Sequence, residues 1–369
     1  MTSLFTRLSR RVVPGHVRHV HPVLHRDAQG LVAKVYDQME RDFGMIAPPV
    51  ALHAPAPTVL SASWVLLREI LLVDGRVDRA TKEAVAAAVS LGNRCPYCVD
   101  VHSTTFLGLV GGDEAQAVAA DRIDTIADPR LRELVRWGRL SGGAERPAPP
   151  FTPAEAPELI GTAVAFHHFN RMVNIFLQES PLPPVRGRVR GAVRRGAAGI
   201  MGRLAGGGTG PGGSLDLLPP AVSPPGLEWA AGQPHIAEAA RRALAAVEDS
   251  AARSVPEQVR QLVTDRLATG PPPGPGPVNR PWLAEVTAGL PDEHRPAARL
   301  ALLTAFASYQ VTDAVVAECR ARGQDDTELI TLTGWAALSA ARQVGTRLYS
   351  DLTTCGVAAR CADRPGGAE

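Results

Sequence analysis

Alanine and leucine at helical spacing, with few β-branched runs, limit this chain to helical architectures more firmly than any other feature. "RATKEAVAAAVSLG" (79–92) is the clearest case: Asp78 is placed to cap it, and Gly92-Asn93 to end it. "PTVLSASWVLLREILLVDG" (57–75) carries Leu60, Trp64, Leu67, Ile70 and Leu71 at steps of three and four, with Gly75 as a stop. Residues 30–43 alternate apolar and charged positions at helical spacing. Asp128-Pro129 opens a helix to about Leu140, and Thr152-Pro153 with Glu155 opens a long buried one, 152–178. Further helices are expected over 234–253, 255–269, 281–290, 292–321 and 325–350. The expected fold class is all-α.

The 369 residues suffice for one large domain or two ordinary ones, and an apolar share of 45% excludes a mostly disordered chain. A net charge of +2 gives no reason to expect nucleic acid. No apolar run reaches the roughly 18 residues of a membrane span. Residues 1–29 read as a basic arm without the apolar stretch of a secretory signal. Residues 30–180 read as one helical domain. Residues 181–228, rich in Pro, Gly and Arg, read as a linker, and its arginines at 186–195 make it locally basic. Residues 229–354 form a second helical region, broken by the stiff "GPPPGPGP" (270–277), and 355–369 read as a disordered tail. An alanine- and leucine-rich helix runs to a tyrosine twice, at Tyr97 and Tyr309. A degenerate repeat would put Ala307 and Gln310 where the first copy has Cys95 and Cys98.

The chemistry concentrates in "NRCPYCVDVH" (93–102). The chain has five cysteines, an odd and sparse set that fits a reducing cytoplasm, where a CxxC pair is catalytic or metal-binding rather than structural. Cys95, Cys98 and His102 stand three and four residues apart, on one face of a helix. Pro96 suits that helix's first turn, so the thiols sit near its N-terminus, where the partial positive charge favours thiolate. His102 can take a proton from Cys98, and the two sulfurs can close into a disulfide. Glu83, twelve residues before Cys95, would face them if its helix packs antiparallel. In a semi-buried place its pKa would rise, and it could accept a proton or orient His102.

Other readings stay open. The same residues could hold structural zinc, although no second CxxC or HxxxH supplies the usual second knuckle. His167, His168, Asn170, Arg171 and Asn174 lie in an otherwise apolar helix, either lining the pocket or holding neighbouring helices. His16, His19, His21 and His25 are irregularly spaced, with no partner acids expected nearby, and "GGGTGPGG" (206–213) lacks the lysine of a phosphate loop. Cys319 is expected to pack in a helix. Asp100 is expected on the other side of the motif helix, solvated or in a salt bridge, and Tyr97 beside the cysteines.

Glu83, Cys95, Cys98 and His102, within "EAVAAAVSLGNRCPYCVDVH", resemble the carboxymuconolactone decarboxylase/alkylhydroperoxidase D-like superfamily. The resemblance covers residues 30–180 and reaches the second half only through the degenerate repeat. It implies an alkylhydroperoxidase D-like helical bundle and a homo-oligomer, often a trimer or hexamer. It implies peroxide reduction or electron relay through the dithiol, with no cofactor and no metal. The partners implied are a hydroperoxide and an external dithiol reductant, lipoyl- or thioredoxin-like. Tyr97 stands where alkylhydroperoxidase D has a histidine, which removes one proton-relay group. The expected function is a thiol-dependent peroxidase with a Cys95–Cys98 redox pair, Cys98 attacking, and a Glu83/His102 proton relay. The alternatives are a dithiol electron-transfer adaptor and a lyase using Glu83 and His102 as acid and base.

Overall fold

The computed structural model describes residues 10, 13–181, 187–270 and 280–362. Its elements in chain order are α1 (Gly30–Asp42), the single-turn α2 (Pro48–Ala51), α3 (Pro57–Leu67), α4 (Arg79–Gly92), α5 (Pro96–Val110), α6 (Gly112–Ala119), α7 (Pro129–Leu140) and α8 (Ala156–Phe176). Then follow α9 (Gly187–Ala205), α10 (Pro234–Ser254), α11 (Glu257–Thr269), α12 (Arg280–Thr287), α13 (Arg295–Ala307), α14 (Asp313–Arg320) and α15 (Asp326–Ala362). No strand occurs among the described residues, only two isolated bridges. The class is all-α, as the helical spacing requires. No described helix is long and apolar enough to cross a membrane.

Alanine explains the packing around the motif. Ala84, Ala86, Ala87 and Ala88 are fully buried, and such short side chains let α4 touch α5, α7 and α8 at once. Asp78 caps α4, accepting from the Thr81 amide at 2.9 Å, and Asp128 caps α7 through the Arg130 amide at 2.8 Å. The two long helices α8 and α15 pack together, and one hydrophobic core runs from Val13 to Leu352.

The structure differs from the sequence reading in four places. Within 181–228, α9 is an ordered part of the fold and lies along α5. Gly108 and Gly202 allow this: a side-chain carbon on either would run into the other helix's backbone. Composition alone could not show that the glycines serve close packing rather than flexibility. The glycine-rich loop after α9 is pinned by side chains of the helical turn Arg68–Leu72 that continues α3. Arg68 donates to Gly210 O and Thr209 Oγ1 at 3.2 and 2.8 Å, and Glu69 accepts from Gly212 N and Ser214 Oγ, both at 2.7 Å. The helix expected over 292–321 breaks at Ser308–Gln310, because that corner is held from outside: Asn174 donates to Ser308 Oγ at 3.1 Å, and Arg94 stacks on Tyr309. The helix expected from 152 begins at Ala156, since the Thr152 amide and hydroxyl both bond the Glu155 carboxylate in the preceding turn. The last helix reaches Ala362, into the expected tail; 363–369 and the proline run at 271–277 lie outside the described residues.

Candidate active site

Helix α5 starts where the motif bends. Arg94 takes a left-handed φ of 52°, Cys95 is the N-cap residue, and Pro96 occupies the first turn. The Cys95 amide bonds Ser90 O at 2.9 Å, locking the turn to the end of α4. Cys95 is completely buried and Cys98 is 2% exposed. The two thiols are hydrogen-bonding neighbours, and both are free.

One turn further, His102 Nδ1 lies 2.6 Å from Glu83 Oε2. Arg79, one turn before Glu83 on α4, donates from Nε to Oε1 at 2.7 Å. The packing of α4 on α5 therefore brings all four expected site residues together and adds Arg79, which the i,i+4 spacing could have revealed. Phe166 of α8 meets the His102 ring edge-on at 4.3 Å and fixes its plane.

Two expectations about charge are overturned. Burial works to raise the Glu83 carboxyl, but Arg79 and His102 outweigh it and hold it below the ordinary carboxylate range. Glu83 is thus an ionised acceptor, and the His102 Nδ1–H donates to it. For Cys98 the opposite holds. Burial first, then the adjacent Cys95, push its pKa well above the ordinary thiol value, while an Asn170 hydrogen bond works the other way. The helix N-terminus does not make a resting thiolate here, because desolvation is the larger effect.

Cys98, Glu83, Arg79 and His102 line one cavity of about 370 Å³. Most of the remaining wall is apolar, including Phe166 and Phe169 of α8, Val50 and Leu71, and Ala197, Met201 and Ala205 of α9. Asp100, expected to be solvated or in a salt bridge, is half-buried at this cavity and accepts from Ser180 Oγ at 2.7 Å. Tyr97 is buried beside the cysteines. The N-terminal arm also reaches in. Val17 pairs with Leu177, and His16 lines the cavity edge-on to Tyr97 with ring centroids 6.0 Å apart. The irregular histidine spacing gave no sign of that. The other arm histidines face acids: His19 lies near Asp313 and His21 near Asp326.

The polar residues of α8 divide. Asn170 belongs to the site: it bonds Cys98, donates to Ser90 Oγ at 3.0 Å, and accepts from Asn93 Nδ2 at 2.9 Å. His168 instead meets Ser63 and stacks on His53, and His167 meets Ser141 and Arg171. Among the described residues, no three His, Cys, Asp or Glu side chains converge to hold a metal ion.

The sequence pattern of the carboxymuconolactone decarboxylase family matches residues 59–139. Alkyl hydroperoxide reductase Rv2159c of Mycobacterium tuberculosis is 40% identical over 331 residues, which span 89% of this chain and 94% of that protein. The chain belongs to the carboxymuconolactone decarboxylase family. The segment matching the family pattern runs from α3 to α7 and holds Glu83, Cys95, Cys98 and His102. Similarity to the reductase extends well beyond it, into the second half of the chain.

Proposed function

We propose that this member of the carboxymuconolactone decarboxylase family is a thiol-dependent peroxidase acting on organic hydroperoxides. The observation that carries the reading is the shared cavity. Cys98 opens onto an apolar chamber of about 370 Å³, Cys95 lies behind it, and the Glu83–His102 pair sits one helical turn away. An apolar chamber suits the alkyl part of a hydroperoxide.

Burial keeps the resting Cys98 protonated, so the thiol must lose its proton as the peroxide arrives. With Nδ1 committed to Glu83, His102 can take that proton at Nε2, and the ionised Glu83 stabilises the imidazolium. The thiolate attacks the terminal peroxide oxygen. The O–O bond breaks, Cys98 becomes a sulfenic acid, and the alkoxide leaves as the alcohol with the proton from His102. The Cys95 thiol then attacks the sulfenic sulfur, a disulfide forms and water departs. An external dithiol returns two electrons and two protons. Both sulfurs are buried, which favours a slim lipoyl-like arm over a broad thioredoxin-like surface as the reductant. The same burial counts against a simple electron-transfer adaptor.

Mass spectrometry after one equivalent of cumene hydroperoxide tests the reading. The 95–98 peptide should lose two hydrogens, and Cys98→Ser should abolish peroxide consumption. An unchanged peptide would remove the redox reading. The second reading, a lyase using Glu83 and His102 as acid and base, is favoured by the protonated resting Cys98. It requires activity that survives replacement of both cysteines by serine.

A further inference from the structure

A second cavity, of about 410 Å³, shares no lining residue with the first. It lies where the turn before Cys95 meets α7, α8 and the Ser308–Gln310 corner. Its size falls in the range of small-molecule sites. Three arginines line it, Arg94, Arg139 and Arg171, and no aspartate or glutamate does.

Arg171 is the informative one. Its Nε donates to Ala305 O at 3.1 Å, and its Nη1 lies 2.6 Å from His167 O and 3.1 Å from His167 Nδ1. Among the described residues, no carboxylate pairs with it. Burial lowers its pKa to about 10, and the nearby Arg347 pushes the same way. Arg94 is exposed, sits 4.7 Å over the Tyr309 ring, and likewise has no carboxylate partner among the described residues. Arg139 differs, since it meets Asp121 at 3.2 Å. Arg171 is half-buried, and charges withdrawn from water in folded proteins are normally paired, because an uncompensated one is costly. Around Arg94 and Arg171 the protein supplies cations and hydrogen-bond donors but, among the described residues, no carboxylate that pairs with either, and Phe306 adds an apolar wall.

We propose that this cavity binds a small organic anion, whose carboxylate or phosphate group sits between Arg94 and Arg171. The planar guanidinium fork matches either group, and Phe306 takes the organic part. The site is close to the dithiol without touching it. Asn93, in its lining, donates to Asn170, which in turn bonds Cys98. The proposal stands independently of the peroxidase reading.

Isothermal titration of the full-length protein with benzoate and with phenyl phosphate tests it. One-to-one saturable binding is expected, weakening as salt rises. Arg94→Gln and Arg171→Met should each weaken it about tenfold, the scale of one charge-assisted hydrogen bond. Arg136→Gln, which removes a surface cation paired with Glu133, should leave it unchanged. Preference for benzoate would identify a carboxylate ligand, and preference for phenyl phosphate a phosphate. No saturable binding of either probe, or binding that neither substitution alters, would overturn the assignment. Should Arg171→Met fail to fold, the exposed Arg94→Gln decides alone.

Discussion

Lys82 and Glu83 are adjacent on α4, both buried, and they face different parts of the molecule. Lys82 points to Glu158 at 2.9 Å and donates to Val73 O at 3.1 Å. Glu158 also accepts from the amides of Arg76 and Val77 at 2.8 and 3.2 Å. Every donor there is fixed. Beside it, Arg68 and Glu69 form a second saturated pair that holds the loop after α9. Glu83 has one fixed donor, Arg79, and one imidazole partner, His102, at the wall of a cavity. Burial of a charge is common to all three sites, so burial alone does not mark function. What sets Glu83 apart is a partner that can exchange a proton, and space for a reactant.

The largest effect should come from breaking the saturated site. Glu158→Ala leaves Lys82 charged and unpaired in the interior, which costs roughly 3–5 kcal/mol. Chemical denaturation should show that loss, with activity per folded molecule kept. Glu83→Gln should behave the other way round. Gln keeps the shape, and hydroperoxide consumption should fall roughly 10²-fold, the lower end for a lost acid–base partner. Stability should also change its pH dependence. The Glu83 pKa is depressed on folding, so its contribution is complete above the ordinary glutamate value of about 4.3 and is lost as the pH falls through the lower folded value. The Glu83→Gln protein should lack that part of the acid limb. A variant equally unstable and fully active would erase the distinction between the two sites.

The two sites are joined through α9. The Arg68–Glu69 pair anchors the loop that follows it, and its Ala197, Met201 and Ala205 line the cavity. Gly202→Ala should press on the Gly108 backbone, push the helices apart and cost about 1–3 kcal/mol. The same substitution should speed alkylation of Cys98 by iodoacetamide. In the unaltered protein that alkylation should stay slow until the pH is well above about 8.5, because burial raises the thiol's pKa. Unchanged alkylation in Gly202→Ala would mean that α9 does not control access.

Much of this was legible in the chain and some was not, for physical reasons. Helix positions around the motif followed from spacing and caps: Asp78, Pro96 and Asp128 stand where those rules put them. Cys95, Cys98 and His102 were expected on one face because helical geometry fixes which residues of one helix share a face; that Glu83 faces them depended on how its helix packs, which spacing does not fix. The direction of the Glu83 and Cys98 shifts was not legible. Each is a difference between desolvation and neighbouring charge, and both depend on depth. Nor was α9, whose glycines look like a linker until the helix they touch is known. The pairing of Glu158 with Lys82, and the hold of Arg68 and Glu69 on the loop after α9, gave no sign, since those partners lie more than 70 residues away.

His16 offers the smallest and sharpest test of the comparison, because it is a titratable group at the cavity held neutral by burial. It is half-buried, and its pKa lies below the ordinary histidine value for that reason. Its Nδ1 is buried with no hydrogen-bond partner among the described residues. The depressed pKa means the unfolded chain binds a proton more readily, so stability should fall as the pH drops below about 6.5. His16→Gln should lose that small component, on the order of 1 kcal/mol or less, measured as the difference between denaturation midpoints of the two proteins at pH 7 and pH 5. If His16 only packs on Tyr97, hydroperoxide turnover in His16→Gln should keep its pH profile. A profile that shifts in His16→Gln but not in a variant at His21, exposed on the same arm, would make His16 a second proton carrier beside the Glu83–His102 pair. It would then belong with the cavity site and not with the saturated pairs behind it.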